Sequence, residues 1–305
     1  VAIRIIVRRG PGAAPVFSLG TTEPVASNTG AGVIRAYPTI ELNGDQTVTT
    51  PLGIVDRIIN GRVIITGDGS IENCVVRGEV SPTYTTHTQL VETSNASSRA
   101  YVGYCDISPQ TPSAYISGIG NKRFYAYRCK MWHNNDDFGL FSTTDGIVNS
   151  RIEGCLTYDM ARFAPDYANN NRAETHNDNA QLQGNIQDPT DIVMVGNSFI
   201  GRHSQTVGTL PTAHIQISAI MISVNTQAGC SGTWDRNWMR GGAYTFNAGG
   251  ASASSTLIVT DNRFERPGTI SPGNTKALVI ASAATRTATG NTYIDNGGTV
   301  PVNAG

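Results

Sequence analysis

Lysine is almost missing from this chain: Lys122, Lys130 and Lys276 are the three present in 305 residues. Charge of either sign is scarce, at 15% of residues, and 22 basic against 23 acidic side chains leave a net charge of −1. That balance excludes the basic surface a nucleic-acid backbone would need. Long apolar runs are lacking too, so no segment is expected to insert in a membrane as a helix. No stretch keeps an apolar period of 3.6, which excludes a helical or leucine-rich solenoid. The opening VAIRIIVRRGPG alternates apolar and basic residues without the apolar core or cleavage site of a secretory signal. Five cysteines, an odd number, cannot all pair, and free thiols favour assembly in a reducing compartment.

What is present is a recurring phrase. It reads IENCVV at 71–76, VGYCDI at 102–107, AYRCKM at 126–131 and IEGCLT at 152–157. Asn then replaces Cys in MVGNSF at 194–199, WDRNWM at 234–239, VTDNRF at 259–264 and ATGNTY at 288–293. Copies spaced 24 to 42 residues apart mark a solenoid in which each rung buries its face against its neighbours. Three residues before the Cys/Asn the side chain is apolar or small, and two residues after it is apolar except at Thr157. Strand side chains alternate faces, so both columns point inward only if the chain bends between them. Gly154, Gly196 and Gly290, with Asn73 and Asp261, suit that bend; Tyr104, Arg128 and Arg236 do not. Cys74, Cys105, Cys129 and Cys155 are expected to stack as small apolar side chains, and Asn197, Asn237, Asn262 and Asn291 as an amide ladder. Parallel Cβ vectors oppose disulfides between in-register neighbours.

A further strand follows each rung, as in TQLVET at 88–93, FGLFST at 138–143, AQLQGN at 180–185, AIMISV at 219–224 and ALVIAS at 277–282. Its expected inward column is Leu90, Ile116, Leu140, Leu182, Met221, Thr245 and Val279. The pattern predicts an all-β solenoid with three short strands per turn. Over about residues 45 to 298 it resembles the right-handed parallel β-helix proteins of the pectate-lyase-like superfamily. The resemblance implies a right-handed single-stranded β-helix of about eight to nine coils, a rod of roughly 40 to 45 Å at the usual strand spacing. Residues 45–305 form one elongated domain in this reading, since no linker interrupts the repeat. Residues 1–44 are expected to be an attachment or capping segment, because an uncovered end would expose unpaired backbone groups.

Candidate chemistry concentrates in the longest coil, 42 residues from Cys155 to Asn197, within DYANNNRAETHNDNAQLQG at 166–184. His176-Asn177-Asp178-Asn179-Ala180-Gln181 resembles an H-x-D-x-x-Q signature of β-helix proteins from actinobacteria and from tail proteins of their phages. Asn179 stands where relatives often place Gly. Aligning coils on Leu140, Leu182 and Met221 brings His133, His176 and His214 within one position of each other, and Asp136 opposite Asp178. Carboxylates one coil apart, about 5 Å, match the spacing of a retaining glycosidase pair. One of Asp178 and Asp136 would then act as acid and the other as nucleophile, with His176 tuning them or carrying protons. The other readings are turn-capping without chemistry and a Ca²⁺ site from Asp136, Asp137 and Asp178. For the lyase chemistry of the superfamily, Arg162 and Arg172 are the nearby candidate bases. Three histidines one coil apart span too far to converge on a transition metal.

The outward positions of the same strands suggest binding. Tyr115, Phe141, Gln181, Gln183 and His133 could hold sugar rings by stacking and hydrogen bonds. Ile220, Ile222, Phe246, Leu278 and Ile280 fall outward in the expected register, an apolar face that should pack on another chain or on a C-terminal segment; a homotrimer is the simplest assembly. The resemblance, the free thiols and the N-terminal segment together imply a phage tail protein of the virion. It would bind a cell-surface polysaccharide, with hydrolysis an open question, and join other tail proteins through residues 1–44. The alternatives are a non-catalytic tail fibre and a secreted polysaccharide-degrading enzyme.

Overall fold

A computed structural model describes residues 21–51, 53–81, 83–94, 99–142, 149–169, 174–184, 189–202, 206–208, 217–224, 229–266 and 276–304. Its architecture follows from the bend. Each turn of the chain lays one strand in each of three parallel sheets, as in Arg57–Asn60, Val63–Ile65 and Ser70–Glu72. Among the described residues the first and second sheets hold ten strands and the third nine, and every strand within them pairs in parallel with its counterpart one turn away. The arrangement is all-β and consistent with a parallel β-helix. The recurring phrase is a third-sheet strand, a bend and a first-sheet strand.

All eight bend residues take a left-handed backbone, Tyr104, Arg128 and Arg236 included, at φ 52°, 51° and 51°. Such a conformation costs a residue with a Cβ about 1–2 kcal/mol, so something must over-determine it. The bend N–H groups supply that: Asn73 donates to Gly103, Tyr104 to Tyr127 and Arg128 to Glu153, each time to a carbonyl of the next coil. The bends are therefore a fourth ladder running along the rod. The Arg128 guanidinium also lies over the Tyr104 and Tyr127 rings. An unrecognised earlier copy, Ile54 to Ile59, bends at Asp56 with φ 56°. Arg57 holds the Cys/Asn position there, which hid it.

Behind the bend the two expected columns form. Cys74, Cys105, Cys129 and Cys155 are buried and free. Asn197, Asn237 and Asn262 each donate their amide to the Oδ1 of the next asparagine, at 2.9, 2.9 and 3.1 Å, and to a carbonyl two coils below that partner. Their backbone N–H groups share the same Oδ1 acceptors. Where the columns meet, Cys155 N–H donates to Asn197 Oδ1 at 2.9 Å. One continuous apolar core runs inside the three sheets from Val48 to Val300. Phe124, Phe138 and Phe199 pack in sequence along it.

The second sheet corrects the expected register. Leu140 does pair with Leu182, but Leu182 continues to Ile222, while Met221 lies opposite Gln181. Ile220 then follows into Phe246 and Leu278. Ile220, Ile222, Phe246, Leu278 and Ile280 are consequently core, at most 1% exposed, and the apolar outer face expected from them does not exist. A slip of one residue reverses every side chain of a strand. The runs ISAIMISV and KALVI alternate too little to reveal it.

The described part of the expected attachment segment lies lengthwise on the first sheet. Glu23 receives Arg240 and the Ser198 hydroxyl, the latter at 3.0 Å. Gly30 N–H donates to the Arg128 carbonyl, Ala31 N–H to Asp106 Oδ1 and Gly32 N–H to Asn73 Oδ1. A Cβ on Gly30 would fall 2.0 Å from Asp106 Oδ1, and φ there is +84°, so this close approach requires glycine. Ile40–Asn43 then begins the first sheet.

Candidate functional site

Four connections of the middle coils run from the first sheet to the second, at 77–87, 108–115, 132–137 and 158–176. Stacked coils therefore place them side by side. The longest makes an excursion: Arg162–Ala164 pairs with Thr206–Gly208 as a small extra sheet. The chain returns at Thr175, whose N–H donates to the Phe163 carbonyl at 2.9 Å and whose hydroxyl accepts from Phe163 N–H at 3.0 Å. Arg162 and Glu174, both buried, form an ion pair across this neck. Burial lowers the Arg162 pKa. Among the residues named as lyase bases, Arg162 is thus a structural clamp, and Arg172 lies outside the described residues.

Where the connections enter the second sheet, polar residues fill the interior. Asn134, Asn135, Asp136 and Asp137 stand before Phe138–Ser142, and Asn177, Asp178 and Asn179 open Asn177–Gly184; all are at most 3% exposed. The expected juxtaposition of Asp136 and Asp178 holds. Asp136 Oδ1 accepts the Asp178 N–H at 2.9 Å, and Asp178 Oδ1 accepts the Ser218 N–H at 2.9 Å. Both carboxylates thus extend a ladder of backbone donors. Asn177 holds the entry by donating to the Asn135 carbonyl and Oδ1 and to the Ala161 carbonyl, at 2.7, 2.8 and 2.8 Å.

Desolvation and the Asp178 charge hold Asp136 well above the usual carboxylate range. Burial pushes Asp137 up to about 7, opposed by amide hydrogen bonds from Asn134 and Asn179 at 2.9 and 3.0 Å. His176 is the part of the group that meets solvent: its side chain is 30% exposed, and Nδ1 lies 3.0 Å from Asp178 Oδ2, close enough for an ion pair though not aligned as a hydrogen bond. A carboxylate behind an accessible imidazole can orient it and stabilise its charged form. The same residues do not fit Ca²⁺. Asp137 presents both oxygens to amides, and Asp136 and Asp178 each turn one to a backbone N–H. No three His, Cys, Asp or Glu side chains among the described residues are arranged to hold an ion.

The glycan-binding candidates separate. Gln181 donates to Gln183 Oε1 at 3.3 Å on the outside of the second sheet, and Phe141 is in register with Gln183. A Cβ on Gly139 would meet the Phe141 ring at 2.5 Å, so the ring lies across that glycine beside Gln181. Tyr115 belongs to a different place, a groove of about 480 Å³ lined by Val80, Ser81, Thr83, Thr111 to Tyr115, Phe163 and Tyr167. Its hydroxyl donates to the Tyr167 carbonyl at 2.9 Å, and its ring meets His87 edge-on. His133 leaves the group altogether. At φ 60° it turns away so that Nε2 lies 3.2 Å from Asp159 Oδ2, and its N–H donates to the Asp159 carbonyl. His214 lies outside the described residues.

Sequence reasoning missed Phe163 and Tyr167 as groove residues. Aromatics inside the longest coil are the available signal, but nothing in the sequence says that the excursion folds back toward Tyr115. It also missed a band of tyrosines on the third sheet, Tyr101, Tyr104, Tyr125 and Tyr127, whose rings contact one another at 5.4 to 5.9 Å. No family model, curated protein or solved structure matches the chain.

Proposed function

We propose that this chain is a right-handed β-helix of the pectate-lyase-like kind, serving a phage tail as a binder of cell-surface glycan. The observation that carries the binding is the groove between Tyr115 and Tyr167. It has an open aromatic wall, with Tyr167 54% exposed, flanked by hydroxyls and backbone rather than by charge. Sugar rings bind such surfaces through their apolar faces while hydroxyl groups meet polar rims. The Phe141, Gln181 and Gln183 patch offers a second contact for a longer chain. Attachment to other tail proteins through the N-terminal segment and assembly as a homotrimer belong to the same proposal. The apolar second-sheet face that suggested a trimer is core, so a trimer would have to use another surface. A secreted polysaccharide-degrading enzyme is the alternative setting for the same groove.

A second reading is hydrolysis through the His176–Asp178–Asp136 group, favoured by the 3.0 Å approach of the exposed imidazole to a buried carboxylate. The burial of both aspartates makes His176 the group that would exchange protons with a substrate. Host-envelope glycan separates the readings. Tyr167→Ala should weaken retention of that glycan roughly tenfold, about 1.4 kcal/mol, and equal retention by wild type and variant would refute the groove. Release of reducing ends by wild type and its loss in Asp178→Asn would establish hydrolysis; no release by either, with retention intact, leaves a binder.

A further inference from the structure

The groove at Tyr115 is built from connections that are not all neighbours. Residues 80–83 and 111–115 belong to successive coils, whereas Phe163 and Tyr167 come from a coil two turns further on, with the short connection 132–137 between. The excursion therefore reaches across a whole coil. Two contacts hold it there: Phe163 packs with Ala114 and Ala161, and the Tyr115 hydroxyl donates to the Tyr167 carbonyl at 2.9 Å. Three coil steps give the groove a length of about 14 Å along the rod. Val80 at one end and Tyr167 at the other are 66% and 54% exposed, so a dissolved chain can enter from the side.

The polar groups of this groove are of one kind. Among the described residues its lining carries no ionised side chain. The Thr111 hydroxyl donates to the Val80 carbonyl at 2.6 Å and the Tyr115 hydroxyl to Tyr167, so both protons are spent. Ser113 Oγ accepts the Tyr115 N–H at 3.3 Å, and Pro112 has no N–H to give. The oxygens of Thr111 and Tyr115 keep free lone pairs, which makes them acceptors toward a ligand. A sugar hydroxyl can donate to them. An ionised carboxylate or phosphate can only accept. Ring faces carry the negative side of the aromatic quadrupole, and Glu79 stands directly before Val80 in the chain. An anion drawn from water into such surroundings, with no cation to pair with, loses far more than a hydroxyl does.

We propose that the groove selects neutral glycan and turns acidic glycan away, through an aromatic floor and an acceptor-rich rim that lacks a cation. The selectivity presupposes that the groove is where glycan binds. It adds that uncharged sugars with hydroxyl donors along one edge and a bare apolar face are the class taken, and that carboxylate or phosphate on the same sugars is rejected for its charge.

The test uses host-envelope glycan separated by anion exchange into neutral and acidic fractions. Part of the neutral fraction is oxidised at its primary hydroxyls to carboxylates, and part of that product is reduced back to the alcohol as a control. The intact chain should retain the neutral fraction and the reduced control alike, and should hold the oxidised form and the acidic fraction roughly tenfold or more weakly. Val80→Arg places a charged donor at the exposed rim and should narrow that difference to a few-fold, with the neutral fraction still retained. Tyr167→Ala separates the two claims. Retention of the neutral fraction that ignores Tyr167 refutes the groove itself. Retention that depends on Tyr167 but is as tight for oxidised or acidic glycan as for neutral leaves the groove standing and overturns the selectivity. A preference for neutral glycan that Val80→Arg does not move overturns it too, because the rejection is then one of shape.

Discussion

At the scale of single residues the interior is governed by where hydrogen-bond acceptors are found for one coil by the next. The Asn and Asp columns answer the same need in opposite directions along the rod: an Asn Oδ1 at a bend accepts an N–H from the preceding coil, and an Asp Oδ1 at a strand entry accepts one from the following coil. An amide does this at no electrostatic cost, whereas a buried carboxylate must either ionise without water or keep its proton. Asp137 shows the consequence. Its folded pKa of about 7 lies above the ordinary value of 3.8, so between those limits the folded state binds the proton more tightly than the unfolded chain does. Stability contributed by the protonated form is therefore complete below about pH 4 and lost as pH rises through 7; Asp136, shifted in the same direction, adds to the trend. Denaturant unfolding should accordingly give a higher free energy at pH 5 than at pH 8, by a few kcal/mol at most. Asp137→Asn should flatten that difference, with the Asn179 amide reversing so that its Oδ1, now without a donor, receives the new NH₂. A stability that climbs from pH 5 to 8 in wild type would contradict the assignment.

At the scale of elements, legibility in the sequence depended on whether a strand has one wet face. The third-sheet and first-sheet strands alternate and carry a bend marked by Cys or Asn, so IENCVV and its copies could be aligned by eye, and Asp136 fell opposite Asp178 because FGLFST and AQLQGN also alternate. ISAIMISV is apolar on both faces, and its pattern points Met221 inward and Ile222 outward, the reverse of the pairing found. His133 failed for a different reason, since a single left-handed residue at φ 60° redirects a side chain without leaving a trace in composition. The excursion 162–175 was legible as an anomaly of length but not in its shape, which the Arg162–Glu174 pair fixes. Removing one partner of a buried pair strands the other charge and costs about 3–5 kcal/mol. Arg162→Met alone should therefore lower the melting temperature, open the excursion to proteolysis and weaken glycan retention by releasing Tyr167. Arg162→Met combined with Glu174→Leu should recover most of the stability, because an apolar pair of similar volume replaces the ions. Equal protease resistance of the single variant and wild type would show that the neck is held by the Thr175–Phe163 hydrogen bonds instead.

At the scale of the whole molecule a stack of coils is held only by nearest neighbours, so it has no inherent reason to unfold as one body. Residues 21–37 change that. The strap contacts Arg240 and Ser198 at one end and Asn73 at the other, tying coils that are more than 160 residues apart in sequence through Glu23, Gly30 and Gly32. Between these points it buries Ala31 against Ile58 and Val75 and closes part of the first sheet's outer face. Coupling of distant coils through one segment makes their openings concerted, since any coil that unfolds beneath the strap loosens its grip on the others. Glu23→Ala together with Gly30→Val should detach it, the first by removing the acceptor of Arg240 and the second by driving a side chain into Asp106. The wild type is expected to unfold in urea in one transition, and the double variant in a broader one with a smaller apparent m-value. Amide exchange should show why: in the variant, protection of 231–304 should be lost under conditions that leave 54–131 protected, whereas in wild type the two regions should exchange together. A double variant whose m-value and exchange pattern equal those of wild type would mean that the inter-coil ladders alone make the rod cooperative, and that the strap is a passenger on its surface.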